Sequence, residues 1–295
     1  MFVPQELLVP MTIFTGTAFL GPTLGPLIGG FISSFTNWRW TFYILIIWAG
    51  LLLVFVLFTT ETFHPIILSR KAAALRKSQQ NDEYYSASDQ VRASKTLSQA
   101  LLASLYVPFQ LLLLDPMVLA LCTYTSLVQG ILYLFFGAFP LVFGENHGFN
   151  LWQIGLTFIG IMIGNIVACF FNPFWHKNWM GLIHKMKEKH GAGYEPEPEL
   201  RLPPAMVGSV LVTVSLFWFA WTTYASVHWL VPISATVVFS VGCFFVFQGI
   251  WTFLMAAYPK YAASSMAINT TTRCIFSAAF PLFTDQSKGP NKLKD

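Results

Sequence analysis

Seven side chains are polar, aromatic or charged in stretches that are otherwise apolar. Gln129 and Tyr133 lie four residues apart, Gln248 and Trp251 three apart, Asn269 and Arg273 four apart, and Asn165 stands alone. Spacings of three and four place each pair on one face of a helix. Two amide types, a phenol, an indole and a guanidinium can bind and orient another molecule, but they supply no nucleophile with its base and no facing carboxylates. The carboxylates fall at segment ends, as Asp115 and Glu145 do, or in polar stretches. Cys122, Cys169, Cys243 and Cys274 sit in apolar segments without metal-ligand spacing and read as small core residues. His176, His184 and His190 lie in a Lys-rich link, where solvated charge near an anionic lipid surface is expected and a metal site is not. No catalytic residue, metal or cofactor is expected, and no nucleic-acid partner.

The elements that hold these groups are long and apolar. Hydrophobic residues make up 55% of the chain and charged ones 10%, with a mean hydropathy of +0.59. Seven segments reach the ~20 residues needed to cross a bilayer: Leu7 to Phe35, Trp40 to Phe58, Pro116 to Phe143, Ile154 to Phe171, Pro204 to Tyr224, Leu230 to Ala257 and Tyr261 to Phe283. A soluble helical bundle would carry a polar face on every helix, and only the last segment does. The reading is an all-α, multi-pass integral membrane protein whose first partner is the lipid bilayer. In hydrocarbon the polar residues must face a bundle interior or bond between helices, each such bond worth about 0.6 kcal/mol on average. Arg273 is harder to explain as packing, because a charge at mid-span costs on the order of 3 kcal/mol unless it faces protein or water.

Loop charge sets the orientation. Arg70, Lys71, Arg76, Lys77, Arg92 and Lys95 fill the link after the second segment, and Lys177, Lys185, Lys187, Lys189 and Arg201 fill the link after the fourth. Both links belong inside, which puts the N-terminus inside and the end of the seventh segment outside. Lys288, Lys292 and Lys294 then crowd a tail on the wrong side. The link from Thr59 to Leu114 divides the chain, and its second half, about Ser94 to Leu113, suits a helix lying in the inner interface. Asp115-Pro116 reads as a helix cap followed by a first-turn proline. Asn269-Thr270-Thr271 fits a glycosylation sequon, but its place at the inner end of a span argues against modification.

Within the first segment, Gly21, Gly25 and Gly29 recur every fourth residue, with Pro22, Pro26 and Gly30 among them. On a helix they form a bare stripe on which a neighbour can lie at backbone distance. Gly25→Leu is therefore expected to block folding or insertion of this span.

The pattern Gly21-x3-Gly25-Pro26-x2-Gly29-Gly30, followed by Trp38-Arg39-Trp40-Thr41-Phe42-Tyr43, resembles the antiporter motif of the fifth helix in the major facilitator superfamily, in its fungal drug:proton antiporter branch. Glu61-Thr62-Phe63-His64-Pro65, Pro198-Glu199-Leu200-Arg201-Leu202, Leu216-Phe217-Trp218-Phe219-Ala220-Trp221-Thr222 and Tyr261-Ala262-Ala263-Ser264-Ser265 resemble the same branch in the same order. The resemblance implies twelve helices in two halves that rock about a midplane site. On that register this chain holds helices 5 to 11, a major facilitator fold fragment truncated at both ends. Residues 1–60 would be the last two helices of the first half, 61–114 the cytoplasmic central loop, 115–284 helices 7 to 11, and 285–295 a divergent polar tail. The resemblance implies efflux of small organic molecules or drugs, coupled to protons, at the plasma membrane. Gln129, Tyr133, Asn165, Gln248, Trp251, Asn269 and Arg273 would then line the substrate pathway, where rings and amides suit bulky, often cationic compounds. Ala256 stands where the branch usually has an Asp. A non-functional remnant or an interacting membrane subunit is the alternative, and oligomeric state is left open.

A seven-span receptor would need its N-terminus outside, contrary to the charge pattern. A membrane-embedded enzyme would need paired acids, a His/Glu metal helix or a Ser/His pair, which no segment supplies.

Overall fold

The computed structural model describes residues 8–60, 64–79, 97–191 and 196–286. The polar stretch from 80 to 96, Tyr194 and the lysine-bearing tail lie outside the described residues. Every regular element among those described is helical: α1 (Leu8–Phe35), α2 (Arg39–Phe58), α3 (His64–Gln79), α4 (Leu97–Leu114), α5 (Pro116–Phe139), α6 (Leu151–Thr157), α7 (Ile159–His190), α8 (Pro203–Thr222), α9 (Leu230–Ala257) and α10 (Ala262–Gln286). A π-helical turn, Pro140–Glu145, extends α5, and a short 3-10 turn, Pro198–Arg201, precedes α8.

Six helical stretches are long and apolar enough to cross a membrane. The segment expected as a seventh span forms the helix α10, 25 residues long, which is not apolar enough to count among the six. Ser264, Ser265, Asn269, Thr270 to Thr272 and Arg273 keep it more polar than the others. Two elements exceed what composition suggested. The polar link after α2 contains the helix α3, for which the formers Ala72, Ala73, Ala74, Leu75, Arg76 and Lys77 account. The Lys-rich link after Phe171 is helical through His190, so the stretch Leu151–His190 runs 40 residues, about 60 Å at helical rise. That is about twice the hydrocarbon thickness, so its Lys-rich end projects beyond the bilayer. Gly191 ends the helix, its N–H closing onto Lys187 O at 2.9 Å.

The expected cap is in place. The Asp115 carboxylate accepts from Met117 N–H at 3.0 Å and Val118 N–H at 3.5 Å, with Pro116 in the first turn. The stretch expected to lie in the inner interface forms the helix α4, which meets α5 and α10, with Leu105 and Phe109 exposed.

The core is built around α9, which packs on α8 and α7 and also meets α1, α5 and α10. Phe239, Phe244, Phe247, Ile250, Trp251, Phe253 and Leu254 are all under 2% exposed. A helix apolar all round is a central helix. Small residues set its closest contact: on α8 the buried positions are Ala205, Gly208, Val212 and Ser215, one face at three- and four-residue spacing. They meet Gly242 and Gly249 of α9. A Cβ on Gly208 would stand 2.6 Å from Gly242 O, and one on Gly249 would stand 2.8 Å from Ala205 Cβ. Ser240 ties α9 to α7, donating to Ile161 O at 2.7 Å.

At the other extreme, α2 has no buried residue at all. Its exposed Phe, Trp, Leu, Ile and Val side chains require a hydrocarbon environment.

The glycine stripe of α1 is placed differently from its expected role. A Cβ on Gly21, Gly25 or Gly29 would meet nothing within 4 Å among the described residues. Backbone contact occurs instead at Gly30, beside the stripe, against α6: a Cβ there would lie 3.1 Å from Leu151 O, and one on Gly155 would lie 2.8 Å from Pro26 O. The physical reason is helical phase, since Gly30 points about 100° away from Gly29. Gly155→Leu should therefore loosen α1 by about 1–3 kcal/mol, seen as a lower melting temperature in detergent and faster proteolysis of the turn after Phe35. Gly25→Leu should leave both near wild type. The reverse ranking would show that the stripe, not Gly155, holds α1.

Candidate functional site

Three helices meet around one cavity. Ala18, Phe19 and Pro22 come from α1, Gln129 and Tyr133 from α5, and Arg273, Cys274, Ser277 and Ala278 from α10. Its volume is about 380 Å³, within the range of small-molecule sites. Each contributing residue lies near the middle of its helix, as a site at the bilayer midplane requires. Pro22 and Pro26 lack the N–H groups that would bond Ala18 O and Pro22 O, so two backbone acceptors lose their helical donors beside this space.

Arg273 is held by aromatic rings. Its guanidinium carbon lies 4.8 Å from the Trp251 ring centre and 5.1 Å from that of Phe247. Phe14 and Phe19 of α1 pack on Trp251 and Phe247 at 5.4 and 5.0 Å, so the same rings carry the α1–α9 contact. Arg273 Nε, Gln129 Oε1 and Ser277 Oγ are buried without a hydrogen-bond partner among the described residues. All three belong to residues that border the cavity.

The other polar residues have different settings. Asn269 is fully buried, accepting from Trp251 Nε1–H at 3.1 Å and donating from Nδ2 to Thr125 Oγ1 at 2.8 Å. The network α9–α10–α5 positions Trp251, and through it Arg273. Gln248 lies elsewhere, donating to Asn172 Oδ1 at 2.8 Å and to Thr12 Oγ1 at 3.3 Å. It borders a tighter space with Trp175, Trp179 and Arg201, of about 30 Å³, room for little more than a water. Asn165, 1% exposed on α7, has neither amide atom bonded and lies outside the larger cavity. No described residue lies within 4 Å of where a Cβ on Gly21, Gly25 or Gly29 would stand, while Pro26 and Gly30 contact α6.

Ser277 and Phe247 were not singled out by composition or motif. Ser277 continues the Asn269–Arg273 face four residues on, a signal present in the sequence. Phe247 is one of 29 Phe, and only its position against Arg273 distinguishes it. One further contact joins helix ends: the Tyr258 hydroxyl, just past α9, donates to Asp115 Oδ2 at the cap of α5. This bond holds the Asp115 carboxyl below its usual value against the effect of burial, and burial together with Asp115 pushes the Tyr258 phenol up to about 12.

The class defined here is a bundle of long apolar helices around a largely apolar mid-helix cavity edged by a few polar side chains. Residues 1–281 match the family model described as Major Facilitator Superfamily, and the chain belongs to that family. It is 51% identical over 284 residues to the efflux pump atB of Aspergillus terreus, covering 96% of this chain and 59% of the pump. It is 41% identical over 283 residues to the probable drug/proton antiporter YHK8 of Saccharomyces cerevisiae, covering 96% and 54%. The multidrug transporter mdrA of Aspergillus fumigatus is 39% identical over 285 residues, covering 96% and 46%. The chain thus spans about half the length of the curated relatives it matches. No solved structure matches it.

Proposed function

We propose that this chain carries the cavity-forming part of an efflux carrier that exports small organic molecules, with protons as the coupling ion, at the plasma membrane. The observation that supports this most is the mid-span cavity, where Gln129, Tyr133 and Arg273 come together from two helices against the proline-interrupted α1. Residues 1–60 are then the fifth and sixth helices of a twelve-helix carrier, 61–114 its central loop, 115–284 helices seven to eleven, and 285–295 a polar tail. In this reading the buried network Trp251–Asn269–Thr125 positions the site, and Gln248 and Asn165 lie off the substrate's path. The relatives atB, an efflux pump, and YHK8, a probable drug/proton antiporter, agree in class.

Expression in a yeast lacking its own efflux carriers tests the proposal. The chain should raise the tolerated dose of at least one compound in a panel of toxic organic molecules and lower its accumulation. A protonophore should restore accumulation, and Gln129→Leu with Tyr133→Leu should abolish protection at unchanged membrane yield. Accumulation equal to that of cells without the chain, for every compound, would overturn the proposal.

A further inference from the structure

We infer that the mid-span cavity takes an organic anion, a small cyclic or aromatic carboxylic acid in its ionised form, with Arg273 as counter-charge. The inference rests on the reading of this cavity as a ligand site. A guanidinium keeps its charge in any protein setting, so Arg273 brings a fixed positive charge to mid-span. No carboxylate pairs with it among the described residues. Glu188 pairs with His184 on the projecting end of α7, and Asp115 is bonded to Tyr258. A membrane-depth cation without an acid partner favours an anion beside it.

The surrounding groups point the same way. The Arg273 guanidinium lies against the buried rings of Trp251 and Phe247, which hold it at the edge of the cavity. A cationic compound would therefore meet like charge there. A carboxylate in the cavity meets the Arg273 side chain, whose guanidinium is a planar fork of N–H donors. Ser277, four residues on along the same helix face, borders the cavity beside it. Gln129 brings an amide to the cavity from α5, a group that pairs with a hydroxyl or amide on the same ligand. Ala18, Phe19, Pro22 and Ala278 supply apolar wall for a ring, and a volume of about 380 Å³ limits the ligand to one or two rings.

Three tritiated compounds of one shape test this by equilibrium dialysis against the full chain in lipid nanodiscs: 1-naphthylacetate, its neutral amide, and the cationic 1-naphthylethylamine. The acid should bind about tenfold more tightly than the amide, as a charge-assisted pair does over a neutral hydrogen bond, and the amine should bind weakest. Arg273→Gln should erase the difference between acid and amide, while Arg273→Lys, which keeps the charge, should retain part of it. The comparison within the wild-type chain stands even where a variant fails to fold. Equal binding of all three, or tighter binding of the amine, overturns the anion inference and leaves the ligand-site reading in place. Failure of all three to bind overturns both.

Discussion

Gly242→Leu should leave the chain unable to fold in the membrane. A Cβ at this position would lie 2.9 Å from Gly208 O, from Val212 N and from Val212 Cγ2, two of them backbone atoms that cannot swing aside as a side-chain tip would. Relief requires α8 and α9 to separate along their whole crossing. That crossing carries Ala205, Gly208, Val212 and Ser215 on one side and Gly242 and Gly249 on the other. Overpacking typically costs about 1–3 kcal/mol where side chains can repack, and here the obstruction is backbone against backbone at the central helix. The expected result is loss of the monodisperse peak of a fluorescent fusion in detergent, with degradation in the cell. Val210→Leu is the matched control, because Val210 is 61% exposed on the opposite face of α8. A G242L chain that elutes and melts like wild type would refute this account of the interface.

Trp251→Ala should give the second largest effect. Trp251 is 1% exposed, touches Phe14 and Phe247, covers Arg273 and donates to Asn269. Truncating a buried Trp costs about 3–5 kcal/mol through lost contacts and the cavity left behind. Losing the hydrogen bond alone is a smaller matter, about 0.6 kcal/mol between membrane helices. The packing contribution therefore dominates, and Trp251→Phe should recover most of the stability lost in Trp251→Ala. Thermal melts in detergent should rank wild type first, then Trp251→Phe close behind, then Trp251→Ala far below. If the phenylalanine variant falls as far as the alanine one, the hydrogen-bond network is what holds this region and the ranking of effects is reversed.

Much of the architecture is legible from local chemistry. Uninterrupted apolar length marks the helices, Asp115 before Pro116 marks a helix start, and the four-residue spacing of Gln129 and Tyr133 places both on the face that borders the cavity. What stays hidden is the identity of the opposing surface. Gly21, Gly25 and Gly29 form the most regular stripe in the chain, yet nothing among the described residues lies against them. The glycines that do bring helices together, Gly242 and Gly249, are seven residues apart, and their partner face is built from Ala205 and Gly208 on another helix. No single-segment pattern contains that pairing. Asn269 and Arg273 illustrate the same limit, because they share a face by spacing but diverge in use. Asn269 is spent on Trp251 and Thr125, and Arg273 borders the cavity. Periodicity gives the side of a helix and leaves open what stands across from it.

The central place of α9 has a consequence for biosynthesis. Its residues fill the middle of the bundle, yet the ribosome makes them after α5, α7 and α8, against which they pack. Until Ala257 has emerged, those earlier helices sit in the bilayer with their inner faces turned to lipid or to the insertion machinery. Assembly therefore cannot proceed helix by helix from the first to the last. It waits for one late segment, and the interval before that segment arrives is when the nascent chain is most open to quality control.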